Sequence, residues 1–298
     1  GTQTAPGGDT LIARQGVANV WSFTSTTDGS LAQGGATYFT SFVNVENFTG
    51  GGTGEDWANL SGAGAITVNV GSYTGFAGVI GGIGSTLAGD DGRTNNWSIQ
   101  AVIDQNNATT DGQNDGTVNG GLRFVNFDNL RGGDGVDNFV IASSGAFQGT
   151  IDGNGGANTL TAKNEVNTWN IHASDSTLAY AGTNSGIITT FNNIRDLTGG
   201  NVRDVVTVDN GVSINSFNAG DGNNDVTING TVAGAITAGA GADTIRISGS
   251  ACSGNAGAGN DTIAMGAAGT VIGLIDGGGD SDTVDLTART TATTVQIG

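Results

Sequence analysis

In the last third of the chain, apolar and polar residues alternate in short runs, and each run follows a glycine-rich turn that ends in an acidic residue. In Asp243-Thr244-Ile245-Arg246-Ile247, a period of two puts Ile245 and Ile247 on one face and Thr244 and Arg246 on the other. In Asp225-Val226-Thr227-Ile228, Val226 and Ile228 are expected to point inward. The pattern predicts short strands, and it repeats. AGAGADTIRI at 238–247 returns 18 residues later as AGAGNDTIAM at 256–265, with related strings at 132–141, 219–228 and 277–286. A period of this size predicts stacked units rather than one globular core.

The anchoring aspartates of these rungs are read as Asp204, Asp225, Asp243, Asp261 and Asp282, at spacings of 21, 18, 18 and 21. A longer unit runs through the first two-thirds. Trp21, Trp97 and Trp169 fall 76 and 72 residues apart, and each is followed by a block of the form FVNFDNLRGG, as at 42–51, 124–133 and 191–200. A third element closes each unit: Asp56 with Trp57, Asp137 with Phe139, Asp204 with Val206. A module of about 74 residues is read as four rungs of about 18.5. The expected fold is all-β: one elongated parallel β-solenoid over 1–298, with modules 7–81, 82–154 and 155–200 and bare rungs over 201–298. Stacked in parallel, each rung would pair with neighbours about 4.8 Å away.

Composition narrows the choices. The 298 residues include 55 Gly and one Pro, without a Gly-X-Y period, which excludes collagen. Asp outnumbers Glu 24 to 3 and Lys163 is the only lysine, so turns and short strands are favoured over helices. The net charge of −18 leaves no basic stripe for nucleic acid. No apolar run is long enough to span a bilayer, so no membrane insertion is expected of this segment. No secretory leader is read, and the blunt start at Gly1 is that expected of a processed piece. A secreted or bacterial cell-surface location is inferred from composition. Cys252, the only cysteine, is expected to be a small buried residue.

The turns carry the chemistry. G-G-x-G-x-D-x-U-x is a nonapeptide whose turn binds Ca²⁺, and 132–140, 239–247, 257–265 and 277–285 approach it. Here the sequence resembles the haemolysin-type (RTX-like) calcium-binding repeats. The resemblance implies a β-roll-like stack in which Asp137, Asp243, Asp261 and Asp282 are Ca²⁺ ligands, Asp225 is a weaker match, and Asp134 and Asp280 are extra turn ligands. The chain departs from that pattern, because only one side of each rung carries the motif. Asn158 stands where an Asp is expected, and Arg203 crowds Asp204. A second reading stands beside the first: these side chains satisfy turn backbone and need no ion.

Other motifs are read as structural. Trp21, Trp97 and Trp169, with Phe23, Ile99 and Ile171 two residues on, are expected core positions rather than sugar platforms, and so are Phe42, Phe124 and Phe191. Asn44, Asn126 and Asn193 are expected to form a side-chain ladder. His172, the one histidine, is expected to be exposed. One His and one Cys do not make a zinc site, no nucleophile marks a triad, and the G-x-G strings open no helix. Paired carboxylates such as Asp90-Asp91 lack the basic residues of a lyase, and no enzyme activity is expected.

The combination W-x-[IF], then F-x-N-x-x-[ND]-[FL]-x-G-G, then an RTX-like turn resembles the repeat regions of large secreted bacterial adhesins. These are filamentous-haemagglutinin-like, exported by two-partner secretion, and include biofilm matrix proteins. The resemblance implies a Ca²⁺-stiffened shaft for cell–cell or matrix adhesion, with exopolysaccharide or other surface adhesin molecules as partners and with self-association. A self-assembling filament or S-layer protein and an exopolysaccharide-binding module are the alternatives.

Overall fold

The computed structural model describes residues 10–15, 19–33, 36–42, 47–51, 56–104, 108, 110, 112–173, 176–180 and 186–290. The described chain is all-β, and its one helical element is a single 3₁₀ turn at Val70–Ser72. It divides into two compact units, residues 1–156 and 157–298.

In the second unit, strands 18 to 37 residues apart in sequence pair in parallel, in register except for a shift within Thr231–Thr237. Asn167–Ile171, Asp204–Val208, Asp225–Ile228, Thr244–Ile247, Thr262–Met265 and Thr283–Asp285 follow one another in one sheet. Thr159–Thr161, Asp196–Thr198, Ser216–Asn218, Thr231–Thr237 and Ser250–Asn255 do so in another, which ends on the short strands Thr270–Val271 and Ile275–Asp276. Exact register is expected where one face is buried, because a one-residue slip would turn every apolar side chain outward. Val206, Val226, Ile245 and Ile263 therefore line up inside, as do Val208, Ile228, Ile247 and Met265. Thr244 and Arg246 lie on the other face of their strand, as their alternation predicts.

In the first unit, Trp57–Asn59, Gly78–Ile80 and Leu122–Val125 pair in parallel. So do Thr67–Asn69, Thr86–Ala88, Asn129–Arg131 and Gly149–Asp152. A small three-strand sheet joins Thr10–Ile12, Asn47–Thr49 and Tyr73–Thr74.

The tryptophan strands correct the uniform four-rung module. Each begins an antiparallel excursion: Asn19–Phe23 with Gly29–Gln33 and then Ala36–Phe42, Asn95–Ile99 with Gly116–Val118 and then Leu122–Val125, Asn167–Ile171 with Ser176–Tyr180 and then Gly186–Asn192. The next parallel partner of the tryptophan strand thus comes 37 or 42 residues on, not about 18. A strand that folds back and one that winds on share the same period of two, so hydrophobic spacing alone did not separate them. At 119–120 the turn is an Asn-Gly with both residues at positive φ, the geometry that closes a hairpin tightly.

Trp21, Trp97 and Trp169 are fully buried, as are Phe23, Ile99 and Ile171. Trp97 stacks on Phe139 with centroids 5.5 Å apart and meets Phe124 edge-on. Trp169 meets Phe191 and Phe217 edge-on at 6.1 and 5.8 Å. The core reading therefore holds for Phe124 and Phe191, while the Phe42 side chain lies outside the described residues. Cys252 is a correction: it is exposed, because Ala251 takes the inward position of its strand and alternation turns Cys252 out.

Candidate functional site

In one sheet of each unit, the turn that precedes a strand run is closed by an Asp or Asn. In the second unit these anchors are Asp204, Asn224, Asp243, Asp261 and Asp282, and the backbone N–H of each of the first four donates to the Oδ1 of the next. The distances are 2.7 Å for Asp204 to Asn224, 2.6 Å for Asn224 to Asp243, 2.8 Å for Asp243 to Asp261 and 3.1 Å for Asp261 to Asp282. The first four anchors are buried, and Asp282, which precedes the last strand of that sheet, is exposed. The sequence intervals are 20, 19, 18 and 21.

This corrects Asp225 as an anchor. Register places Asn224 in the anchor position, and Asp225 faces outward to the Arg246 guanidinium. The AGDGNNDVTI string offers three adjacent Asx residues, and composition does not say which of them turns in.

In the first unit the same role falls to Asn19 with Asp56 and to Asn95 with Asp137. Asn19 N–H donates to Asp56 Oδ1 at 2.7 Å, and the Asn19 amide reaches both Asp56 oxygens at 3.0 Å. Asn95 Nδ2 donates to Asp137 Oδ1 at 2.7 Å. Asn19, Asn95, Asn167 and Asn224 are all buried, and an acidic-turn pattern does not mark them because they are not carboxylates. Their signal was position: each opens an alternating run, as the aspartates do.

Two kinds of turn follow from how the glycines face. At Asp56 and Asp204, backbone N–H groups point at the carboxylate: Gly51 donates to Asp56 Oδ2 and Gly200 to Asp204 Oδ2, the latter at 3.0 Å. At Asn224 the turn presents carbonyls instead. Asn224 Nδ2 donates to Gly220 O at 3.1 Å, Gly222 O at 3.2 Å and Ala238 O at 2.9 Å. Gly220, Gly239 and Gly257 open the three successive turns with positive φ, which is the reason for glycine there. Asp243 and Asp261 thus occupy the place of Asn224 with an oxygen where it has a donor nitrogen. Asp243 Oδ2 and Asp261 Oδ2 are buried and have no hydrogen-bond partner among the described residues.

The electrostatics agree. Burial pushes the Asp243 carboxyl up to about 6 against the Asn224 hydrogen bonds, with the Asp261 and Asp221 carboxylates adding to the rise. Burial also pushes Asp204 up to about 6, opposed by Asn167 and Gly200. Asp137 is raised by burial too, opposed mainly by Asn95.

The other residues singled out in the sequence are dispersed. Asp134 is exposed and accepts from Asn154 Nδ2 at 3.1 Å, and Asp280 is exposed at a left-handed φ. Of the asparagines expected to form a ladder, Asn126 and Asn193 are exposed left-handed turn residues and Asn44 lies outside the described residues. His172 is partly exposed as expected, and its Nδ1 lies 2.7 Å from Asp209 Oδ2. Lys163 is buried, with its ammonium 3.2 Å from Glu165, a pairing that no repeat pattern signalled. Among the described residues, no three His, Cys, Asp or Glu side chains are grouped to hold a metal. A cation at Asp243 or Asp261 would have one carboxylate per turn, with carbonyls and water as its other oxygens, a donor set that suits Ca²⁺.

Compared with family models, curated proteins and solved structures, the chain matches none. No helix among the described residues is long and apolar enough to cross a membrane.

Proposed function

We propose that this chain is the shaft of an extracellular bacterial adhesin: a parallel β-solenoid that carries surface binding elements in cell–cell or matrix adhesion and biofilm formation. The observation that carries this reading is the ladder from Asp204 to Asp282, in which five anchors are joined rung to rung by one repeated hydrogen bond. Such repetition gives stability that sums over neighbours and suits a stiff spacer. The acidic composition fits a secreted, highly charged coat that keeps neighbouring molecules apart.

Within this reading, Ca²⁺ occupies the turns closed by Asp243 and Asp261 and neutralises the buried oxygens that lack a donor. Asp282, one rung later, has the same turn chemistry with more access to solvent. Calcium at about ten times a Kd near 10⁻⁴ M stabilises by about 1.4 kcal/mol per site. The chain itself performs no covalent chemistry in this role.

Thermal melting in EDTA, followed by Ca²⁺ add-back, tests the calcium component. A rise of several degrees on add-back, not reproduced by Mg²⁺ at equal ionic strength, is expected. Small-angle scattering tests the shaft independently, because a solenoid gives the profile of a rod and a compact body does not.

A further inference from the structure

We infer that the first unit carries a glycan-binding pocket, built to hold one neutral pyranose residue, at the ends of three parallel strands. Trp57–Asn59, Gly78–Ile80 and Leu122–Val125 run side by side, and the segments that follow them bring Ser61, Ile83, Asn126 and Asp128 to one cavity of about 520 Å³. Asn114 and Gln148 close another wall.

The Asn114 and Asp128 side chains are held in place before any ligand arrives. Asn114 is clamped to the Gln148 backbone, its Oδ1 accepting from Gln148 N at 2.7 Å and its Nδ2 donating to Gln148 O at 3.1 Å. Asp128 Oδ2 accepts from Gly84 N at 2.6 Å, which fixes the carboxylate at the rim and leaves Oδ1 facing Asn114. Asn126 is exposed at φ 58°, and its backbone N–H is held by Asp115 Oδ1 at 3.0 Å. The Asn126 and Gln148 side-chain amides make no hydrogen bond among the described residues. Each therefore offers one donor and one acceptor group to an incoming hydroxyl.

Ile83 supplies the other half of the chemistry. It is 92% exposed at the pocket, the most exposed large apolar side chain described. A side chain so little covered adds little to the core of the unit. Planar amides and a carboxylate beside one apolar surface match a sugar ring, which has hydroxyls around its edge and C–H bonds on its face. The charge pattern narrows the class. No basic side chain lines the pocket, which disfavours phosphate, sulfate and uronic acids, and most of the polar lining is uncharged. The pocket does not depend on calcium or on the shaft reading, because none of its residues belongs to the Asp243 or Asp261 turns.

The test uses the full chain and a panel of soluble tetrasaccharides ending in glucose, galactose or mannose, with an alginate tetramer and a glucosamine tetramer as charged comparators. Binding is read by ligand-observed NMR and titrated by calorimetry at low and high salt. Weak saturable binding of a neutral member, unchanged by salt, is expected. Ile83→Asp should weaken it at least tenfold, and so should Asn126→Gly combined with Gln148→Ala. Glycine keeps the left-handed backbone at 126, so that variant removes the amide without straining the turn. Asn193→Gly, a left-handed turn asparagine of the other unit, should bind as the parent does, and all variants should melt as the parent does. Failure of every neutral sugar to bind overturns the inference. So does binding only to a charged comparator, or binding that survives both pocket variants.

Discussion

The backbone N–H of Asn224 donates to Asp243 Oδ1 at 2.6 Å across 19 residues of sequence, and the two side chains end in different atoms at the same place in their turns. The Asn224 nitrogen satisfies three carbonyls, while Asp243 brings an oxygen with no hydrogen-bond partner among the described residues. A buried carboxylate oxygen without a donor is costly, and exchanging the two residue types isolates that cost. In EDTA, Asp243→Asn is expected to raise stability by about 1–3 kcal/mol and Asn224→Asp to lower it by a similar amount. Asp243→Asn should also shrink the calcium-induced rise in Tm. Chemical denaturation with and without Ca²⁺ measures both, and a less stable Asp243→Asn protein in EDTA would contradict the account.

Asp204 gives the fold a pH dependence of definite sign. Its folded-state value of about 6 lies above the ordinary carboxyl value of 3.8, because burial disfavours the charge. The folded protein therefore holds this proton more tightly than the unfolded chain. The resulting stability is fully present below about pH 4 and is lost as pH rises through 6. Urea denaturation in EDTA should show a decline of about 1–3 kcal/mol across that window from this group. Asp204→Asn should remove that part of the slope. A parent protein whose stability rises steadily from pH 4 to 7 would contradict the assignment.

Trp169 is fully buried between Phe191 and Phe217. Trp169→Ala is expected to cost about 3–5 kcal/mol, the usual range for emptying a large aromatic site that collapses only in part. Val166→Ala, at a half-exposed position three residues earlier, should cost less than about 0.5 kcal/mol. Guanidinium denaturation of the two variants compares them directly.

Cys252 faces solvent, so its thiol should be accessible without unfolding. One equivalent of an aromatic disulfide reagent should react per folded chain, at a rate unchanged by mild denaturant. A thiol that reacts only after the fold is melted would place Cys252 inside and overturn the outward register of Ser250–Asn255.

Some of this could be read directly from the residues. The inward residues of 225–228, 244–247 and 262–265 follow from a period of two, and the tryptophans from their recurrence at matching positions. The candidate turns followed from glycine and Asp composition. Their inner atoms did not, because Asp and Asn are interchangeable in a turn pattern and differ only in whether the neighbouring backbone offers N–H or C=O. The Asn-Gly at 119–120 was a legible hairpin signal that the larger repeat obscured. The pocket near Ile83 carried no linear signature, since its walls come from five separate segments between 61 and 148.

The sequence by itself determined that the chain is all-β, with short strands punctuated by glycine turns and with aromatic residues inside. Those properties depend on local alternation and on which residues tolerate a turn. Only the tertiary structure decided which strands pair in parallel and which fold back, and whether each inner Asx finds a donor, an acceptor or nothing among the described residues. Those outcomes depend on groups 18–42 residues away, whose direction is set by the neighbouring strand rather than by the residues beside them.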